Sequence, residues 1–264
     1  AALTTGQLVK LATGQLSQLS GDQIKALTTE QAQALTTTQV AALTSSQLNA
    51  MEVADLQVLN NSQIRALTDG QIADLKNEQI IALTTDQVAS MGYSQVASLT
   101  SSQLNSMAVE DLQALTNNQV KALTTGQMST LSAEQVARML TSQVAVLSDA
   151  QVAELSAAAI TALTTAQISE LSTSALNALS TTQLAALEVA DVAALTEAQL
   201  SKVSTGLIAK LSEDQVRALT TSQVSAMKTE QVAAMTSSQL NAMEADDLQA
   251  LTANQIKSLT TGQV

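Results

Sequence analysis

Aliphatic residues return along this chain at two fixed places in every eight. The first place is occupied at Leu3, Leu11, Leu19 and every eighth position through Leu259, and no insertion or deletion breaks the count. The second lies five residues later, at Leu8, Leu16, Ile24, Val40, Leu48, Leu56, Ile64 and onward, with Ala32 its smallest occupant. Read by place, the octad is Leu/Met, Thr/Ser, small or Thr/Ser, variable, Gln, Val/Ile/Leu, variable polar or Ala, Ala, as in Leu35-Thr36-Thr37-Thr38-Gln39-Val40-Ala41-Ala42. A short period running from end to end predicts a repeat architecture in which places one and six form the core.

One unbroken α-helix cannot use this pattern. Eight residues turn a helix by about 800°, so the apolar stripe drifts about 80° with every octad. A coiled coil needs a period of seven or eleven and fails for the same reason. A helix that stops and restarts in each octad fits. Thr36 followed by Gln39 is a capping box, with the hydroxyl accepting from the N3 amide and the Gln side chain returning to the N-cap amide. Leu35 and Val40 then occupy the two positions of a hydrophobic staple. The same pairing recurs at Thr28/Gln31, Thr44/Gln47, Thr84/Gln87, Ser148/Gln151 and Thr220/Gln223. Ala at place eight (Ala26, Ala34, Ala42, Ala50) would let successive helices approach closely. The expected fold is therefore all-α, a solenoid of short capped helices, one per octad. The alternative is a β-solenoid with three octads per 24-residue coil, since Thr and Val suit strands; Ala, Gln, Leu and Met favour the helix.

A longer period lies over the short one. Gly14, Gly70 and Gly126 are seven octads apart, and Gly206 and Gly262 repeat that spacing. Leu43–Ala50 recurs as 99–106 and 235–242, each followed by an acidic octad that begins Met51-Glu52, Met107-Ala108 or Met243-Glu244; Leu187-Glu188 opens a fourth. These markers define super-repeats 11–66, 67–122, 123–202 and 203–258 in one continuous array, 1–264, with no linker-like stretch. The spacings of seven and ten octads suggest a coil of about three to three and a half octads. In the acidic octads Glu52, Ala108, Glu188 and Glu244 stand at the cap, and Asp55, Asp111, Asp191 and Asp247 replace Gln. Either the preceding helix runs on through these octads and needs no new cap, or the carboxylates favour a helix start electrostatically.

Composition narrows function chiefly by exclusion. With no His, Cys, Phe, Trp or Pro, the core is aliphatic, and the Ser and Thr hydroxyls have no histidine to act as base. A formal charge of −12 argues against nucleic acid and acidic membranes as partners. No apolar run approaches the length of a membrane span. Glu244, Asp246 and Asp247 form the densest acidic group, but they lack the alternating ligands and Gly of a hard-cation loop and read as a solvated helix start. Gly14 and its copies match no phosphate-binding loop and read as small residues at crowded or bent corners. Tyr93, the one aromatic, sits at a Thr place beside Gly92 and marks a local irregularity. No catalytic, cofactor-binding or metal residue is expected, and no cofactor.

With units such as Leu35 to Leu43 and Leu83 to Ser90 in view, the chain resembles the octapeptide (LTTxQVxA) repeat regions of large bacterial surface or secreted proteins, adhesin-like or RTX-associated; the calcium nonapeptide of RTX proteins is absent. The incomplete last octad, Leu259 to Val264, fits a segment of a longer protein. The resemblance implies an extracellular or cell-surface setting and a non-enzymatic role as stalk, spacer or fibre segment, with self-assembly one of the expectations. Its partners would be adjacent repeats, other copies, or surface proteins and glycans. The alternative role is a protein- or glycan-binding scaffold that uses the superhelical groove.

Overall fold

The computed structural model describes residues 3–263 and is helical throughout: thirty-two short helices, of four to six residues each, and no strand among the described residues. The helical solenoid expected from the octad is thus what forms, and the β-solenoid is not. Each helix begins where the box places it. Thr36 is extended (φ −72°, ψ 157°), the helix runs Thr37–Ala42, and Leu43 leaves it in an extended conformation at φ −62°, ψ 137°. Two non-helical residues separate this helix from the next, Ser45–Ala50. The short break reorients the chain once per octad, and the departing Leu43 amide still donates to the Val40 carbonyl at 3.2 Å.

Core and surface follow the two aliphatic places. Val40, Ile64, Ile72, Val88 and Val96 at place six are fully buried, and Leu35, Leu43, Leu59 and Leu67 at place one nearly so. Leu35 and Val40, the staple pair, are both buried. At the last coil, Leu248 and Ile256 occupy place six yet are 40% and 48% exposed. The place-eight alanines lie at the rim: Ala26 is exposed and Ala34, Ala42 and Ala50 are half-buried.

The chain divides into two compact units, 1–127 and 128–264. In each, a helix packs on the third helix after it. In the first unit Thr37–Ala42 lies against Asn61–Ala66, and in the second Asp149–Ala153 lies against Thr173–Asn177. Hydrogen bonds from place-five glutamines reach 28 and 31 residues back. A coil therefore takes between three and four octads, an interval that contains the estimate from the super-repeats.

Three local readings are decided. Of the two for the acidic octads, a new helix start is what forms, not a continuation: Ser45–Ala50 ends, Glu52 is extended (φ −66°, ψ 147°), and a new helix runs Val53–Gln57. Nor do the spaced glycines mark crowded corners. All have negative φ, and a Cβ added at Gly14, Gly70 or Gly262 would meet nothing within 4 Å. Finally, Tyr93 opens a regular helix, Tyr93–Ser98, with Gly92 as an ordinary extended N-cap.

Candidate functional site

The chemistry of this fold is concentrated at place five. Gln39 serves two coils at once. Its Oε1 accepts from the Thr36 amide at 3.0 Å, closing the box whose other half runs from the Gln39 amide to the Thr36 hydroxyl at 3.2 Å. Its Nε2 donates to the carbonyls of Leu8 and Leu11 in the coil below, both at 3.0 Å. Those are a carbonyl at a helix end, which also takes the Leu11 amide, and one in the following break, which takes no main-chain donor. The arrangement repeats as a ladder: Gln79 to Leu48, Gln95 to Leu67, Gln183 to Leu155, Gln215 to Leu187, at 2.6–2.9 Å. The glutamines themselves are buried, with Gln63, Gln79 and Gln103 each 1% exposed.

The hydroxyl half of the box is dispensable. Ala12, Lys76, Gly92, Leu140 and Lys228 stand at the cap without a side-chain bond, yet their amides still donate to Gln15, Gln79, Gln95, Gln143 and Gln231 at 2.7–3.2 Å. The ladder was not foreseen from sequence. The available signal was that Gln persists in octads that lost their Ser or Thr, which a purely local capping role does not require.

Against this background the acidic octads stand apart. Asp55, Asp111, Asp191 and Asp247 occupy the ladder place and are only 3–5% exposed. The reading of Glu244, Asp246 and Asp247 as solvated holds for the first two, which are exposed, and fails for Asp247. Asp191 keeps the return bond, accepting from the Glu188 amide at 3.0 Å, whereas Asp55 Oδ2 is buried without a partner. Burial pushes all four carboxyls above the ordinary aspartate value. The nearby charge of Glu52, Glu110, Glu188, or Glu244 with Asp246 adds to it, and at Asp191 the Glu188 amide opposes it.

Elsewhere the surface offers little chemistry. Among the described residues no group of three or more acidic, His or Cys side chains could hold a metal, and no helix is long and apolar enough to cross a membrane. Tyr93 is 57% exposed, and its hydroxyl accepts from Asn118 Nδ2 at 3.3 Å. It borders an open recess of about 370 Å³ with Arg65, Met91, Thr116 and Gln119.

Compared with known proteins, the chain matches the family model described as the ALTTAQ repeat at residues 1–37, 48–85, 160–197 and 208–244, together more than half of its length. No curated protein matches it.

Proposed function

We propose that this chain, which belongs to the ALTTAQ repeat family, is a non-enzymatic spacer segment: a helical repeat scaffold that sets distance within a larger bacterial surface or secreted protein. The observation that carries the reading is the glutamine ladder. Octads with Gln at place five are bonded through that buried side chain to the coil three to four octads earlier, so a whole-octad change of length keeps the bonding pattern and a partial one breaks it. Such a modular design suits reach rather than chemistry. The absence of His and Cys from the sequence leaves its hydroxyls without a base, in keeping with a scaffold.

Deletion within the parent protein tests this. Removing 67–122, seven whole octads inside the first unit, should leave a cooperatively folded chain with a shorter end-to-end distance by small-angle scattering and unchanged surface display. Removing 67–118, which breaks the octad frame, should unfold the local coils. If loss of 67–122 instead abolished binding of the parent to protein or glycan targets, the scaffold reading with a binding groove would replace the spacer. That second reading rests on the recess that Tyr93 borders with Arg65, Tyr93 also accepting from Asn118; the deletion removes Tyr93 and Asn118 and leaves Arg65.

A further inference from the structure

The glutamines of the ladder keep one register, donating to carbonyls 31 and 28 residues earlier. Applied to the acidic octads, that register sets Asp55 over Ile24 and Leu27, Asp111 over Ile80 and Leu83, Asp191 over Ile160 and Leu163, and Asp247 over Val216 and Leu219. Ile24, Ile80, Ile160 and Val216 already accept from the amide three residues on. The carbonyls of Leu27, Leu83, Leu163 and Leu219 receive no donor among the described residues. Where the ladder has an amide donor, these four joints have a buried carboxyl group.

An ionised carboxylate is acceptor-only, so at such a joint it opposes a carbonyl oxygen with another oxygen of like partial charge, out of water. A neutral carboxylic acid carries one O–H donor and one acceptor oxygen, the same pair of functions that the Gln amide supplies. We propose that the four acidic octads are proton-dependent joints between coils: with the buried Asp neutral, its hydroxyl donates toward the orphaned carbonyl below and the joint is closed; with the Asp ionised, the joint lacks its rung.

The surroundings favour the neutral form. None of the four aspartates has an ion-pair partner among the described residues, and Lys25, which lies between Ile24 and Leu27, pairs with Glu52 at 3.6 Å. Charges on the helices packed against each joint are exposed. They are Glu30, Lys76 and Glu78 around Asp55, Asp86 beside Asp111, and Glu170, Glu213, Asp214 and Arg217 around Asp191. The helix packed on Asp247, Thr221–Ala226, carries none. Counting Glu52, acidic groups outnumber the two lysines around Asp55, and they outnumber basic groups around Asp111 and Asp191 as well. The raised carboxyl pKa values agree in direction. The sign of the linkage follows: a carboxyl raised in the folded state adds stability that is fully present below its unfolded value and is lost as pH rises through its folded value. The joints should therefore tighten on acidification, opposite to the usual acid weakening of carboxylate-rich proteins.

The test uses the full chain. Carbon-13 carboxyl titration should give midpoints for the four aspartates above that of an unstructured aspartate peptide, and the wild-type melting temperature should rise from pH 7 towards pH 4. The quadruple variant Asp55→Gln, Asp111→Gln, Asp191→Gln and Asp247→Gln should melt higher than wild type at pH 7 and show a flatter pH response. A control lowering surface charge equally, Asp69→Asn, Glu134→Gln, Glu154→Gln and Glu197→Gln, should keep the wild-type rise. Midpoints at or below the peptide value, as a water-bridged carboxylate would give, overturn the proposal. So does a quadruple variant that follows pH as steeply as the control. If the variant fails to fold, the carboxyl midpoints in the native chain decide alone.

Discussion

Gln71 offers the sharpest measure of what a ladder rung contributes. Its side chain is 5% exposed, accepts from the Thr68 amide at 2.7 Å, and donates to Leu43 at 2.6 Å, Val40 at 3.1 Å and Ala41 at 3.3 Å. Gln71→Met keeps most of the volume and removes every bond. The Thr68 amide lies at an exposed residue and turns to water, a loss of about 1 kcal/mol. The Val40 carbonyl retains the Leu43 amide. The Leu43 carbonyl is stranded at a residue 3% exposed, which costs about 1–3 kcal/mol. The sum is about 2–4 kcal/mol, felt in the coils that Gln71 joins. Gln71→Glu separates the two functions, because an ionised carboxylate keeps the return bond and loses both donors; at pH 7 it should destabilise at least as much as Met. Native-state hydrogen exchange at the amides of 37–50 and 69–74 reads the local effect, and urea unfolding reads the global one. If Gln71→Met changed neither by more than about 0.5 kcal/mol, the ladder would be geometry without energetic weight, and the argument for whole-octad growth would lose its basis.

Other substitutions test the octad place by place. Thr36→Ala removes a cap hydroxyl at 3.2 Å from the Gln39 amide and should cost about 1 kcal/mol by urea unfolding, less than any ladder substitution. Val40→Asp puts an unpaired carboxyl at a fully buried position and should melt the neighbouring coils, seen as lost far-ultraviolet helical signal or as exchange collapsing across 29–66. Gly70→Ala should stabilise by about 0.5–1 kcal/mol, since Gly70 lies within the helix Asp69–Asp74 and its added methyl meets nothing. A destabilised Gly70→Ala would show that the spaced glycines serve a contact absent from the folded chain alone.

What could be read from sequence and what could not divide along the range of the interactions involved. Restarting helices, their N-caps and the two buried places are decided within eight residues, so Thr36, Gln39 and Val40 disclosed them directly. The ladder escaped because its acceptors are main-chain carbonyls 28 and 31 residues away, and a carbonyl leaves no mark on the sequence. Reading Gln as only half of a capping box also left the acidic octads undecided. Taken locally, losing both halves of the box at Glu52 and Asp55 allowed either a helix running on or a new start, and a new helix does start, at Val53. The break at Met51 and Glu52 survives without its cap because Met51 is buried at place one and Leu56 at place six, so the apolar pair enforces the turn that the polar pair elsewhere decorates. Core periodicity therefore determines where helices restart, and the polar residues determine how firmly successive coils are joined. On that division Asp55 and its counterparts alter the joint while leaving the helix start unchanged, and a change from Asp to Gln should leave the helix boundaries of Val53–Gln57 intact while strengthening its attachment to the coil below.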